Sequence, residues 1–129
     1  MANTEATSNK LLKYNTEIEK AVTAATADTA DLAEVFEVTP TKADNNYIIE
    51  ISTPTALAGI MTYSIAAGDF FASTVAKTGS VAAGKTEIIQ LEGAKYIQDT
   101  GKVLVTLTPA SGKKLKTDHA ATITAIELV

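Results

Sequence analysis

Apolar and polar positions follow two different rhythms along this chain. From about residue 4 to residue 27 the apolar side chains recur at helical spacing, with Leu11, Ile18, Val22 and Ala25 three, four and seven apart and Leu12 and Tyr14 beside them. Lys10, Lys13, Glu17 and Lys20 fill the remaining sides, a pattern that predicts an amphipathic helix with a narrow apolar stripe. The stripe thins into a Thr/Ala/Asp stretch over 23–31, where poor helix formers predict fraying. So narrow a stripe is marginal alone in water, so the helix is expected to dock on its own domain, on a second copy or on a partner.

From Leu32 onward the period is two. Strands are expected over 34–39, 47–53, 60–66, 71–76, 86–92, 102–108 and 121–129. Tyr47, Ile49 and Ile51 share one face, as do Met61, Tyr63 and Ile65, and Val103, Val105 and Leu107. The breaks carry turn residues: Asp44-Asn45-Asn46, Ala67-Gly68-Asp69, Lys77-Thr78-Gly79, Ala83-Gly84-Lys85, Asp99-Thr100-Gly101 and Ser111-Gly112-Lys113. Three strands end in Thr-Pro, at Pro40, Pro54 and Pro109, where the missing N–H stops the ladder. About seven short strands with regular turn signals predict a mainly β protein: one antiparallel, immunoglobulin-like β-sandwich over 32–129, preceded by an N-terminal helical arm over 1–31. A closed barrel is the alternative.

Composition narrows the class of partner. At 129 residues the chain fits one domain, and 46% hydrophobic content is enough to build a core. Aromatics are only 5%, so close-packed aliphatic layers are expected rather than an aromatic-lined ligand pocket. There is no Cys, which excludes disulfides and thiolate-bound metals. The net charge is −4 and every basic residue is Lys. Without a basic face or an Arg fork, neither nucleic acid nor an anionic membrane is an expected partner. No stretch has the length of a signal-peptide core or a membrane span, so the expected product is made in the cytoplasm and stays soluble.

Candidate chemistry is sparse. His119, the sole His, lies in the polar run Lys116-Thr117-Asp118-His119 and reads as a solvated turn residue, since a neighbouring Asp rarely forms triad geometry. Asp69, after Gly68, reads as a cap on backbone amides. Gly79-x-x-x-x-Gly84-Lys85-Thr86 matches the bare phosphate-loop spacing, but a strand follows it where that loop needs a helix. No catalytic, cofactor-binding or metal-ligating residues are therefore expected. Phe70-Phe71 is different: on a strand one ring would enter the core and the other would face outward, either covered by a loop or exposed as an anchor for a partner. The candidate protein interface is Leu11, Leu12, Tyr14, Ile18 and Val22 of the arm together with Phe70 and Phe71.

Four segments are shared in style with a known group of proteins: Val38-Thr39-Pro40-Thr41 before Asp44-Asn45-Asn46, Ala67-Gly68-Asp69-Phe70-Phe71-Ala72, Gly84-Lys85-Thr86-Glu87-Ile88-Ile89-Gln90-Leu91-Glu92, and Gly101-Lys102-Val103-Leu104-Val105. On these the stretch 34–129 resembles the small head decoration, or capsid-stabilising, proteins of tailed bacteriophages of Gram-positive bacteria; the arm lies outside the resemblance. The likeness implies a β-sandwich on the outer capsid lattice of the virion, with the major capsid protein or another virion protein as partner, homo-oligomers such as trimers, no catalysis and no cofactor. Two rival expectations remain. One is a tail-tube or head–tail joining protein; the other is an immunoglobulin-like adhesion module, against which the start Met and the lack of an export signal speak.

Overall fold

The two-residue rhythm becomes strand in the computed structural model, which describes residues 2–11, 21–43, 45–56, 58–71 and 74–128. In chain order the strands are β1 (Thr4–Ala6), β2 (Ser8–Leu11), β3 (Thr23–Ala24), β4 (Glu34–Val38), β5 (Asn46–Thr53), β6 (Met61–Ile65), β7 (Lys77–Val81), β8 (Lys85–Leu91), β9 (Val103–Thr108) and β10 (Thr122–Leu128). A one-turn helix, α1 (Gly93–Tyr96), sits between β8 and β9. Successive side chains on a strand point to opposite faces, so Phe36 and Val38 on β4, or Val103, Val105 and Leu107 on β9, turn inward together.

These strands form two five-stranded sheets. One runs β1-β4-β9-β6-β7; the other runs β2-β10-β5-β8, with β3 also on the β10 edge. Antiparallel ladders set the registers Phe36↔Val105, Tyr63↔Leu107, Ile49↔Ala125 and Ile49↔Ile89. The inward faces meet in a single core in which Phe36, Ile65, Val105 and Leu107 of the first sheet join Tyr47, Ile49, Ile51, Leu91 and Ile123 of the second. This is a β-sandwich-like arrangement. The antiparallel expectation is corrected at two places, because β1 pairs with β4 and β2 pairs with β10 in parallel, which makes both sheets mixed.

The predicted helical arm is also corrected. Thr4–Ala6, Ser8–Leu11 and Thr23–Ala24 are strands bound to the edges of β4 and β10. Thr, Ser and Asn favour local side-chain-to-backbone bonds over helix, and two waiting sheet edges offer their backbones a ladder. The remaining stripe residues Leu12, Tyr14 and Ile18 lie outside the described residues, as does the side chain of Leu11.

Two further differences concern the first sheet. The expected strand over 71–76 is not one: Phe71 and residues 74–76 have no strand structure, and 72–73 lie outside the described residues. Strand β7 instead occupies Lys77–Val81, where the glycine reads as a turn. Gly79 pairs with Tyr63, and a Cβ built there would strike the Tyr63 ring. The glycine is in the strand because an aromatic neighbour covers it.

Candidate functional site

The segment 66–71 is fastened to α1 and the chain that follows it. Gly68 N–H donates to Lys95 O at 2.9 Å, Asp69 N–H to Ile97 O at 3.1 Å, and Gln98 Nε2 to Ala67 O at 2.7 Å. Asp69 Oδ2 accepts from Asp99 N–H at 2.7 Å, so this carboxylate caps a backbone amide as its position after Gly68 predicts. Gly68 has no room for a side chain, since a Cβ would stand 2.6–2.9 Å from the backbone of Lys95 and Ile97.

This fastening leaves Phe70 65% and Phe71 48% exposed. Because the segment is a loop and not a strand, neither ring is drawn into the core, and the division expected from alternation does not occur. With Ala43, Ala94 and Ile97 the two rings line an open apolar cleft of about 230 Å³. Val22, the one candidate interface residue of the arm whose side chain is described, is 55% exposed and stands just before β3, on the β10 edge of the other sheet.

The titratable groups with the most complete surroundings are buried and structural. Glu34 is fully buried; its Oε1 accepts from Thr26 N–H at 2.8 Å and Ala27 N–H at 2.7 Å, and its Oε2 from Thr4 Oγ1 at 2.7 Å. Glu127, equally buried, accepts from Thr41 N–H at 2.7 Å, Thr41 Oγ1 at 2.8 Å and Asn45 Nδ2 at 2.7 Å. Burial alone would raise the Glu127 pKa, but the donors from Asn45, Thr41 and Lys42 outweigh it and hold the carboxyl below its usual range. From sequence, Glu34 beside the arm is expected on a solvated charged face; the structure buries it instead, at an inward position of the alternating strand β4. Glu127 lies on β10, which is buried at five consecutive positions and gives no alternation to read.

His119 is corrected from solvated to buried, with no exposed surface. Its Nε2 accepts from Ala110 N–H at 3.0 Å, so the ring proton belongs on Nδ1, 3.1 Å from Thr53 Oγ1. The Thr53 hydroxyl in turn donates to His119 O at 3.0 Å. Burial lowers the pKa of the ring, with Asp118 opposing and Lys113 assisting. Nε2 thus closes the 109–121 loop on itself at Ala110, while Nδ1 and the backbone carbonyl face Thr53 at the end of β5.

The phosphate-loop-like segment is the connection between β7 and β8. Gly84 has φ 74° and its N–H donates to Thr53 O at 2.7 Å, and Lys85 and Thr86 begin a strand. The helix N-terminus that would hold a phosphate does not follow them. Among the described residues no group of three or more His, Cys, Asp or Glu is placed to hold a metal, and no helix is long and apolar enough to cross a membrane. No protein family, no curated protein and no solved structure matches the chain.

Proposed function

We propose that this chain is a non-enzymatic virion structural protein that binds the outer surface of a phage capsid and decorates or stabilises it. The observation that carries the reading is the pair Phe70 and Phe71, held out on a hydrogen-bonded loop within a segment that resembles capsid decoration proteins. A rigid loop presenting two rings loses little conformational freedom on binding, which is how an interface anchor gains affinity. At their observed exposures the rings offer roughly 200 Å² of surface, about 5 kcal/mol of gross burial before the cost of association. One such contact is modest. Many copies on a shell, or copies joined as trimers on the major capsid protein, reinforce it through effective concentration. The charge of −4 favours solubility of the free form.

Mass spectrometry of purified native particles tests the reading, and electron microscopy of the same particles locates the protein. Protein on the head supports decoration; protein in the tail or at the neck would transfer the reading to a tail-tube or head–tail joining protein. Its absence from particles would refute both. An immunoglobulin-like adhesion module has the sandwich architecture in its favour. However, the seven strands from β4 onward follow the order β4-β9-β6-β7 against β10-β5-β8, whereas that fold pairs its strands as ABED against CFG.

A further inference from the structure

Strand β1 is a three-residue edge strand whose described side-chain contacts are mostly polar. Its three residues lie along the outer edge of β4 in the register Thr4↔Phe36, Glu5↔Glu37 and Ala6↔Val38. Ala6 is the only buried one, and it brings a single methyl group to the core. The other side-chain contacts are polar. Asn3 Nδ2 donates to Glu37 Oε1 at 2.7 Å, Thr4 Oγ1 to Glu34 Oε2 at 2.7 Å, and Thr39 Oγ1 to Glu5 Oε1 at 2.7 Å. Lys102 Nζ bridges Glu5 and Glu37 at 2.9 Å each, in water-exposed pairs of little net worth.

The attachment changes at Thr7, where the chain crosses from the first sheet to the second and its N–H donates to Thr23 Oγ1 at 3.2 Å. Beyond it, Asn9 clamps β2: Nδ2 donates to Ala21 O at 2.9 Å and Ala125 O at 3.1 Å, and Oδ1 accepts from Ala21 N–H at 2.6 Å. Thr7 is therefore the natural hinge between the short edge strand β1 and the segment clamped by Asn9.

Lifting β1 uncovers the edge of β4. Its outward N–H and C=O groups then lack partners, a state sheets escape by taking up another strand. Glu34 loses Thr4 but keeps the Thr26 and Ala27 amides, so the body need not unfold. The strand that satisfies this edge best is another copy of residues 3–6, which meets Glu34, Glu37, Thr39 and Lys102 in the same register. We propose that β1 is an exchangeable strand and that the β4 edge is an interaction surface for residues 3–6 of a second copy of this chain. The contacts are identical in the closed and exchanged forms, so the balance between them is set by concentration. A chain's own strand acts at an effective concentration in the millimolar range; copies crowded to that level, or held side by side, compete with it. The inference does not depend on the capsid reading.

Because the chain has no Cys, the exchange is open to a clean trap. Glu5→Cys protein is mixed with Glu37→Cys protein, gently oxidised, and digested for mass spectrometry; thermal melts first establish that both variants unfold cooperatively. A disulfide between positions 5 and 37 can then form only between copies. Its yield is expected to rise with total protein from about 10 μM to about 1 mM, well above that of a control pair of Glu5→Cys with Ser80→Cys on the opposite edge strand β7. A 5–37 yield no greater than the control at the highest concentration overturns the proposal. Hydrogen exchange on the unmodified protein reads the same device without substitution. Amides of the β1–β4 ladder are expected to exchange at least tenfold faster than those of β4–β9, and equal protection would refute the proposal.

Discussion

Acidification should weaken this protein through His119 before it reaches Glu37 or Glu127. The ring is buried, its Nε2 accepts a backbone N–H, and burial holds its pKa below the ordinary value of 6.5. A proton on Nε2 would set two donors face to face at Ala110. The unfolded chain takes up that proton near pH 6.5, whereas the folded chain resists it, so the stabilising contribution is complete above about pH 6.5 and declines as pH falls toward the lowered folded value. The slope is bounded by one proton, about 1.4 kcal/mol per pH unit. Glu37 and Glu127 have lowered pKa values, so their contributions are present above the ordinary carboxylate range and are lost only below it. The two windows separate. Denaturant unfolding from about pH 8 to pH 5 should show wild-type stability flat and then falling, while His119→Gln, which cannot titrate, stays level across the window. His119→Ala should cost about 3–5 kcal/mol at neutral pH, combining an unpaired Ala110 N–H with the cavity left by a buried ring. A wild-type curve flat to pH 5, or a parallel decline in the Gln variant, would refute the assignment of the buried neutral ring.

Other substitutions probe the remaining devices. Glu34→Ala leaves the Thr26 and Ala27 amides without an acceptor and should cost about 2–4 kcal/mol, read as a drop of roughly 10 °C or more in Tm, with Glu34→Gln costing less. Glu127→Gln should flatten the stability profile below about pH 4.5 while leaving the His119 window intact, as calorimetry across pH would record. Gly68→Ala forces backbone apart at Lys95 and Ile97 and should cost about 1–3 kcal/mol by thermal melting. Phe70→Ala with Phe71→Ala should leave Tm within a few degrees, because both rings are exposed, yet reduce co-sedimentation with capsids at least tenfold; unchanged co-sedimentation would remove these rings from the interface.

Where burial is one-sided, the sequence was enough to locate the strand. Predicted spans 34–39, 47–53, 60–66, 86–92 and 102–108 fall within two residues of β4, β5, β6, β8 and β9 at each end, because alternation and core contact coincide there. Legibility failed where a distant partner decides. Gly79 reads as a turn until Tyr63 is known to cover it, and the Phe71 segment reads as a strand until its neighbours are found bonded to α1. The arm misled through real spacing of apolar residues, while Thr4, Thr7, Ser8 and Asn9 carried the contrary signal of side chains ill suited to a helix. Of the candidate interface residues, Phe70 and Phe71 were expected to divide between core and surface as on a strand, whereas the loop exposes both. Glu34 and Glu127 were illegible because a buried carboxylate is made tolerable by amides up to 86 positions away.

The crossing at Thr7 also decides which flank of the molecule is open to growth. On one side, each sheet ends in a short piece, β1 of 3 residues, β2 of 4 and β3 of 2, too brief and too interrupted to template a long foreign strand. On the other side β7 and β8, of 5 and 7 residues, are the outermost strands among the described residues, moderated by Lys77, Lys85 and Glu87. With long edge strands on one flank and only short pieces on the other, edge-to-edge pairing through an added long strand is favoured on one side of the molecule. That asymmetry limits edge-to-edge aggregation, and it rests on three strands of four residues or fewer.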